Sequence, residues 1–125
     1  MGELMRYRIA CIDDEPEVLE LYDEMFSDDF EFYSTYRADE FNSHVVTENP
    51  HAVLVDLVMP DINGAEILEG IKKKHDCLRI VITGCSDGNL HSKAKELSHR
   101  IYTKPIKYKS VVEDIKFLLK ITVRT

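Results

Sequence analysis

Residues 51–62 read HAVLVDLVMPDI, and this stretch constrains the fold more than any other in the chain. Ala52-Val53-Leu54-Val55 is apolar without polar alternation. Such a run suits a strand buried on both faces of a parallel sheet. It stops abruptly at a carboxylate, Asp56. A side chain there stands at the carboxyl end of a central strand, the edge where open α/β sheets bind ligands. Met59-Pro60-Asp61 and Asn63-Gly64 follow as turn chemistry, because Pro fixes φ and Gly permits φ > 0.

The rest of the chain repeats the theme. Short apolar or β-branched runs predict strands over 7–12, 30–36, 51–55, 79–82 and 100–103. Between and after them, apolar residues at helical spacing predict helices over 16–26, 37–47, 64–74, 87–98 and 108–121. Pro16 suits the first turn of the first helix, where a missing N–H costs nothing. Lys72-Lys73-Lys74 closes the third helix with charges that complement its dipole. Strict strand–helix alternation implies an α/β fold with helices on both faces of a parallel sheet. The expected architecture is a doubly wound five-stranded parallel sheet of order 2-1-3-4-5, a flavodoxin-like (βα)5 sandwich. It forms one domain over 1–125, with its core from about 8 to 121.

Composition removes several classes of function. At 125 residues and 44% hydrophobic, the chain can bury a core without staples. Its net charge of −7 argues against gripping nucleic acid through phosphate contacts. No apolar run approaches the roughly 18 residues that span a bilayer, so no membrane partner is expected. The N-terminal residues lack a signal-peptide pattern, which makes a cytoplasmic location the default expectation. Cys11, Cys77 and Cys85 have no CxxC spacing, and Cys11 reads as a small core residue. The five histidines show no metal-type pairing and read as surface residues.

Four of the five predicted strands end in residues that can do chemistry. The first ends in Asp13 and Asp14, the third in Asp56, the fourth in Thr83 and the fifth in Lys104. In the 2-1-3-4-5 order, strands one and three are neighbours, about 4.8 Å apart. The three carboxylates therefore converge and resist ionising together. A hard divalent cation such as Mg²⁺, satisfied by one or two carboxylates and water, removes that conflict. An ionised carboxylate beside a metal, a lysine and a hydroxyl is the layout that phosphoryl transfer to an aspartate requires. Asp56 is then the phosphoacceptor, Thr83 and Lys104 bind phosphoryl oxygens, and Gly84 leaves room for the group.

Asp13-Asp14, Asp56-Leu57-Val58-Met59-Pro60, Gly64, Thr83-Gly84 and Lys104-Pro105 together resemble the receiver domain of bacterial two-component response regulators. The resemblance runs from about Arg8 to Leu119. It implies that Asp14 binds Mg²⁺ directly, that Asp13 acts mainly through water, and that the backbone carbonyl of Val58 is a further ligand. It implies a cis Lys104-Pro105 peptide, a bond geometry that proline tolerates at small cost. It also implies a donor, a sensor histidine kinase or histidine phosphotransferase, for which the first helix is the usual dock. The output is a downstream effector protein or a C-terminal output domain outside this sequence. The domain itself is then no enzyme beyond its own phosphorylation and dephosphorylation.

The resemblance further implies a switch. The Thr83 hydroxyl moves toward the phosphoryl group, an aromatic residue three positions before the lysine swings inward, and the face of helix four, strand five and helix five is rebuilt. A homodimer through that face is one outcome it allows. Here the position is Ile101, and the aromatic, Tyr102, comes one residue later. Alternation along a strand points Tyr102 to the other face, into the core. Either Ile101 substitutes or the register is shifted. Val58 is a second departure: its apolar side chain cannot hold a hydrolytic water, which predicts slow self-dephosphorylation. Two alternatives stay open on the residues alone. One is a Mg²⁺-dependent aspartyl-phosphate phosphatase of dehalogenase type, although such enzymes carry an Asp where Val58 stands. The other is a degenerate receiver that acts only by binding.

Overall fold

The computed structural model describes residues 6–84 and 88–122. In chain order the elements are β1 (Arg8–Ile12), α1 (Pro16–Phe26), β2 (Glu31–Thr35), α2 (Ala38–Glu48) and β3 (Ala52–Asp56). A two-residue pair follows, β4 (Val58–Met59) and β5 (Ile62–Asn63), then α3 (Gly64–Lys74), β6 (Leu78–Thr83), α4 (Gly88–Leu97), β7 (Arg100–Thr103) and α5 (Tyr108–Thr122). The main sheet has the order β2-β1-β3-β6-β7, and every pairing in it is parallel. With the small hairpin set aside, this is the expected 2-1-3-4-5 order.

All five residues of β3 are buried. Its side chains alternate between two cores. Val53 and Val55 join Ala10, Ile12 and Val81 beneath α2, α3 and α4. Ala52 and Leu54 join Ile9, Cys11, Ile80 and Ile82 beneath α1 and α5. A strand that feeds two cores cannot alternate apolar with polar, which accounts for the unbroken run at 52–55. Cys11 is buried, as its sequence context predicts, and Cys77 is buried too. Cys85 and Asp87 lie outside the described residues.

Two local features differ from expectation. The turn after Asp56 is a small antiparallel hairpin, with Val58 opposite Asn63 and Met59 opposite Ile62. Two-residue strands are too short to leave a periodic signal. Gly64 is not a left-handed turn residue. It opens α3, and among the described residues the one positive φ belongs to Asn49, at the end of α2. Asn63 caps α3, its side-chain oxygen accepting the Glu66 N–H at 3.2 Å. The glycine is explained by contact instead. A Cβ on Gly64 would lie 2.5 Å from the Asp56 carbonyl oxygen and 3.1 Å from Leu57 Cα. No helix among the described residues is long and apolar enough to cross a membrane.

Candidate functional site

Parallel strands deliver their carboxyl ends to one edge, and neighbours in the sheet deliver side chains together. β1 and β3 are adjacent, so Asp13, just past β1, and Asp56, the last residue of β3, lie at the same edge of the sheet. Both are nearly inaccessible, at 1% and 4% exposure. Lys104, just past β7, reaches across to them. Its Nζ donates to Asp13 Oδ2 at 2.8 Å and lies 3.5 Å from both Asp56 Oδ2 and Glu15 Oε1. The other oxygens of the two aspartates take backbone donors. Glu15 N–H donates to Asp13 Oδ1 at 3.0 Å, and Val58 N–H donates to Asp56 Oδ1 at 3.3 Å.

One amine faces three carboxylates, so negative charge is left over. Burial pushes the Asp56 carboxyl up to about 6, and the charge of Asp13 adds to the rise. Lys104 and the Val58 N–H work the other way. For Lys104, burial opposes the charged amine, but its bond to Asp13 and the nearby acids outweigh that, and its pKa stands above the usual lysine value. Asp13, Asp14 and Glu15 each offer an oxygen within 4.8 Å of the others. An all-oxygen donor set with surplus negative charge suits a hard cation such as Mg²⁺ and not a soft one.

The remaining expected residues fall around this centre. Thr83 ends β6 and is buried, and its carbonyl accepts the Lys104 N–H at 2.9 Å. Gly84 is exposed, with open space where a Cβ would point. The Lys104-Pro105 peptide is cis. Asp14 is half-buried, and Val58, in β4, is 48% exposed. Ile101 packs on the core beneath α4, while the Tyr102 ring packs on the opposite core beside α5. The Tyr102 hydroxyl donates to Asp114 Oδ2 at 2.8 Å, so the ring is half-buried and its tip meets the surface of α5. Strand register pairs Val81 with Ile101 and Thr83 with Thr103. Alternation therefore puts Thr83 and Ile101 on one face and Tyr102 on the other.

One member of the site had no assigned role in the sequence. Glu15 occupies the N-cap position of α1 without capping it, and its side chain turns toward Lys104. The signal was its place directly after Asp13-Asp14.

Fold and site together define a protein class, and comparison with known proteins agrees. The chain belongs to the response regulator receiver domain family, which it matches over residues 9–116. It is 30% identical over 98 residues to sporulation initiation phosphotransferase F of Bacillus subtilis, covering 75% of this chain and 77% of that protein. The BeF3-activated receiver domain of DrrB superposes with a TM-score of 0.83 at 25% identity, covering 93% of this chain and 99% of that one. DrrB comes from Thermotoga maritima, and this chain covers 54% of a longer DrrB structure. A CheY-like receiver domain from Methanospirillum hungatei shares the fold, with a TM-score of 0.86 at 22% identity over 94% of this chain and 97% of that one. Receiver domains are signalling modules that work with histidine kinases and effector output domains.

Proposed function

We propose that Asp56 accepts a phosphoryl group from the phosphohistidine of a sensor histidine kinase or histidine phosphotransferase, as the switch of a two-component phosphorelay. The observation that carries this reading is the Lys104 ammonium, held 2.8 Å from Asp13 and 3.5 Å from Asp56 at a buried strand end. In the transfer an Asp56 carboxylate oxygen bonds to phosphorus. The bond from phosphorus to the donor imidazole breaks, and its electron pair stays on nitrogen. A carboxyl titrating at about 6 is ionised at neutral pH, so the nucleophile is ready. Lys104 faces the phosphoryl oxygens with positive charge, and the Thr83 hydroxyl donates to one of them. Gly84 leaves the group space.

Asp13, Asp14, Asp56 and the Val58 carbonyl would hold Mg²⁺, with Glu15 at the edge of the set. The ion supplies positive charge against the phosphoryl oxygens when bound. The product adds about −1.5 to −2 charges next to Thr83 at neutral pH. Because Thr83 and Ile101 share a face of the sheet, the change passes toward α4 through Ile101 and leaves Tyr102 aside. Its readers are a downstream effector, a C-terminal output domain, for which the extra length of DrrB gives a precedent, or a second copy at the α4–β7–α5 face.

Incubation with Mg²⁺ and a small acyl phosphate, followed by intact-mass spectrometry, tests the reading. The chain should gain one phosphoryl group and the Asp56→Asn variant none. An unmodified wild type would overturn it. Val58→Asn should lose the phosphoryl group faster than wild type, since an amide can hold a hydrolytic water where an isopropyl group cannot. Equal decay rates would remove Val58 from that role.

A further inference from the structure

The charge of this chain is divided along its length. Residues 1–69 carry 18 acids against 3 Lys and Arg, a net of −15. Residues 70–125 carry 13 Lys and Arg against 5 acids, a net of +8. The fold gathers much of that positive charge at the amino ends of β6 and β7, the opposite end of the sheet from Asp56. There α3 closes with Lys72, Lys73 and Lys74, α4 with Lys95, and β7 opens with Arg100.

This rim is built as one piece. Lys72 Nζ donates to the Glu96 carbonyl at 3.1 Å, joining the ends of α3 and α4. Arg79 Nε donates to the Leu97 carbonyl at 2.6 Å. The Arg79 N–H donates to His99 Nδ1 at 2.9 Å. With Nδ1 accepting, neutral His99 carries its proton on Nε2, so an N–H donor remains on that exposed ring. A depression of about 350 Å³ beside it is lined by Lys95, Ser98, His99 and Arg100 among others. Lys73, Lys74, Lys95 and Arg100 are exposed, and among the described residues none of them is in an ion pair. Asp76 and Glu96 are the acids on the same rim.

Helix dipoles do not account for it. Lysine at a helix C-terminus is favourable, but α1 and α2 close with no basic residue in their last turns. The fold thus tolerates helix ends without such charge. We propose that the basic rim formed by the ends of α3 and α4 and the start of β7 docks an acidic segment of a partner protein. Its carboxylates pair with Lys74, Lys95 and Arg100 and accept from His99. A long polyanion is disfavoured by the −15 of the other half of the same molecule, whereas a short acidic segment meets only the rim. The rim lies at the far end of the sheet from Asp56, but Ile101 and Thr103 of β7 line the same depression, so it adjoins the α4–β7 face to which the proposed function assigns the readout.

The test is fluorescence anisotropy of the full chain with a short labelled peptide alternating Glu and Ser. Single-stranded DNA and phosphatidylserine vesicles are run as competing probes. The peptide should bind at low salt and weaken about tenfold as salt rises from about 20 to about 200 mM. The variant Lys74→Gln/Lys95→Gln/Arg100→Gln should bind it at least about tenfold more weakly, and Lys107→Gln/Lys109→Gln/Lys120→Gln, with the same charge loss on and before α5, should bind as wild type. Circular dichroism and phosphorylation at Asp56 should match wild type in both. Single Lys74→Gln and Arg100→Gln variants repeat the ordering if the triple variant does not fold. Absent peptide binding, equal loss in both triple variants, or tighter binding of DNA or vesicles would overturn the assignment.

Discussion

The two ends of the sheet hold charge in opposite ways. At the carboxyl ends, Asp13 and Asp56 are buried, and a single lysine stands among three acids. At the amino ends, Lys73, Lys74, Lys95 and Arg100 are exposed and in no ion pair among the described residues. Exposed charge costs little to keep, because water solvates it and salt screens it. Buried charge must be held by other charges, and it shifts their pKa values. Reactive groups therefore belong at the buried end. The carboxyl end has a buried carboxyl, Asp56, and an amine, Lys104, whose pKa values are both raised by their surroundings, and the amino end has solvated charges.

Removing a charge from each end is the strongest way to break the comparison. Lys104→Met leaves buried acids without their amine and should destabilise the fold by about 3 kcal/mol at neutral pH. Lys74→Met should change stability by less than about 0.5 kcal/mol. Urea unfolding of both variants measures the gap, and equal losses would erase the distinction. The next effect concerns Asp56. Its folded pKa of about 6 lies above the ordinary carboxylate value of 3.8, so the folded state binds its proton more tightly than the unfolded chain does. Wild-type stability therefore falls as pH rises from about 4 through 6, by about 3 kcal/mol at most from this group. In divalent-free buffer, Asp56→Asn should be the more stable protein at pH 8, and the advantage should vanish near pH 4. An advantage independent of pH would deny that ionisation is its source.

Gly64→Ala sharpens the same end sterically. The new methyl would press on the Asp56 carbonyl oxygen from 2.5 Å. The expected cost is about 1–2 kcal/mol, with slower phosphorylation, because backbone at the acceptor must shift. An Ala variant as stable and as reactive as wild type would show that the close approach is not needed.

Much of the fold and of the candidate site is legible in the sequence. An apolar run cut short by Asp56 marks a buried strand and its reactive end in the same few residues. Asp13, Thr83 and Lys104 follow the same rule at the ends of β1, β6 and β7. The parts that were not legible depend on distances between segments. Gly64 looks like a turn glycine locally, and only the approach of α3 to β3 shows why a side chain is excluded. Glu15 looks like one more acid at a helix start until Lys104 arrives from 89 positions away. The β4–β5 hairpin is too short for periodicity to register. The basic rim was visible only as a dipole-friendly end to α3, and its extent appears once α4 and β7 are laid beside it.

Mapping the modified residue decides whether Asp56 is the phosphoacceptor. The chain is treated with Mg²⁺ and a small acyl phosphate, trapped with borohydride, digested, and sequenced by mass spectrometry. Trapping at residue 56 and at no other carboxylate is the predicted result. A mark on Asp13 or Asp14, or no mark on any acid while the protein remains folded, would contradict the account.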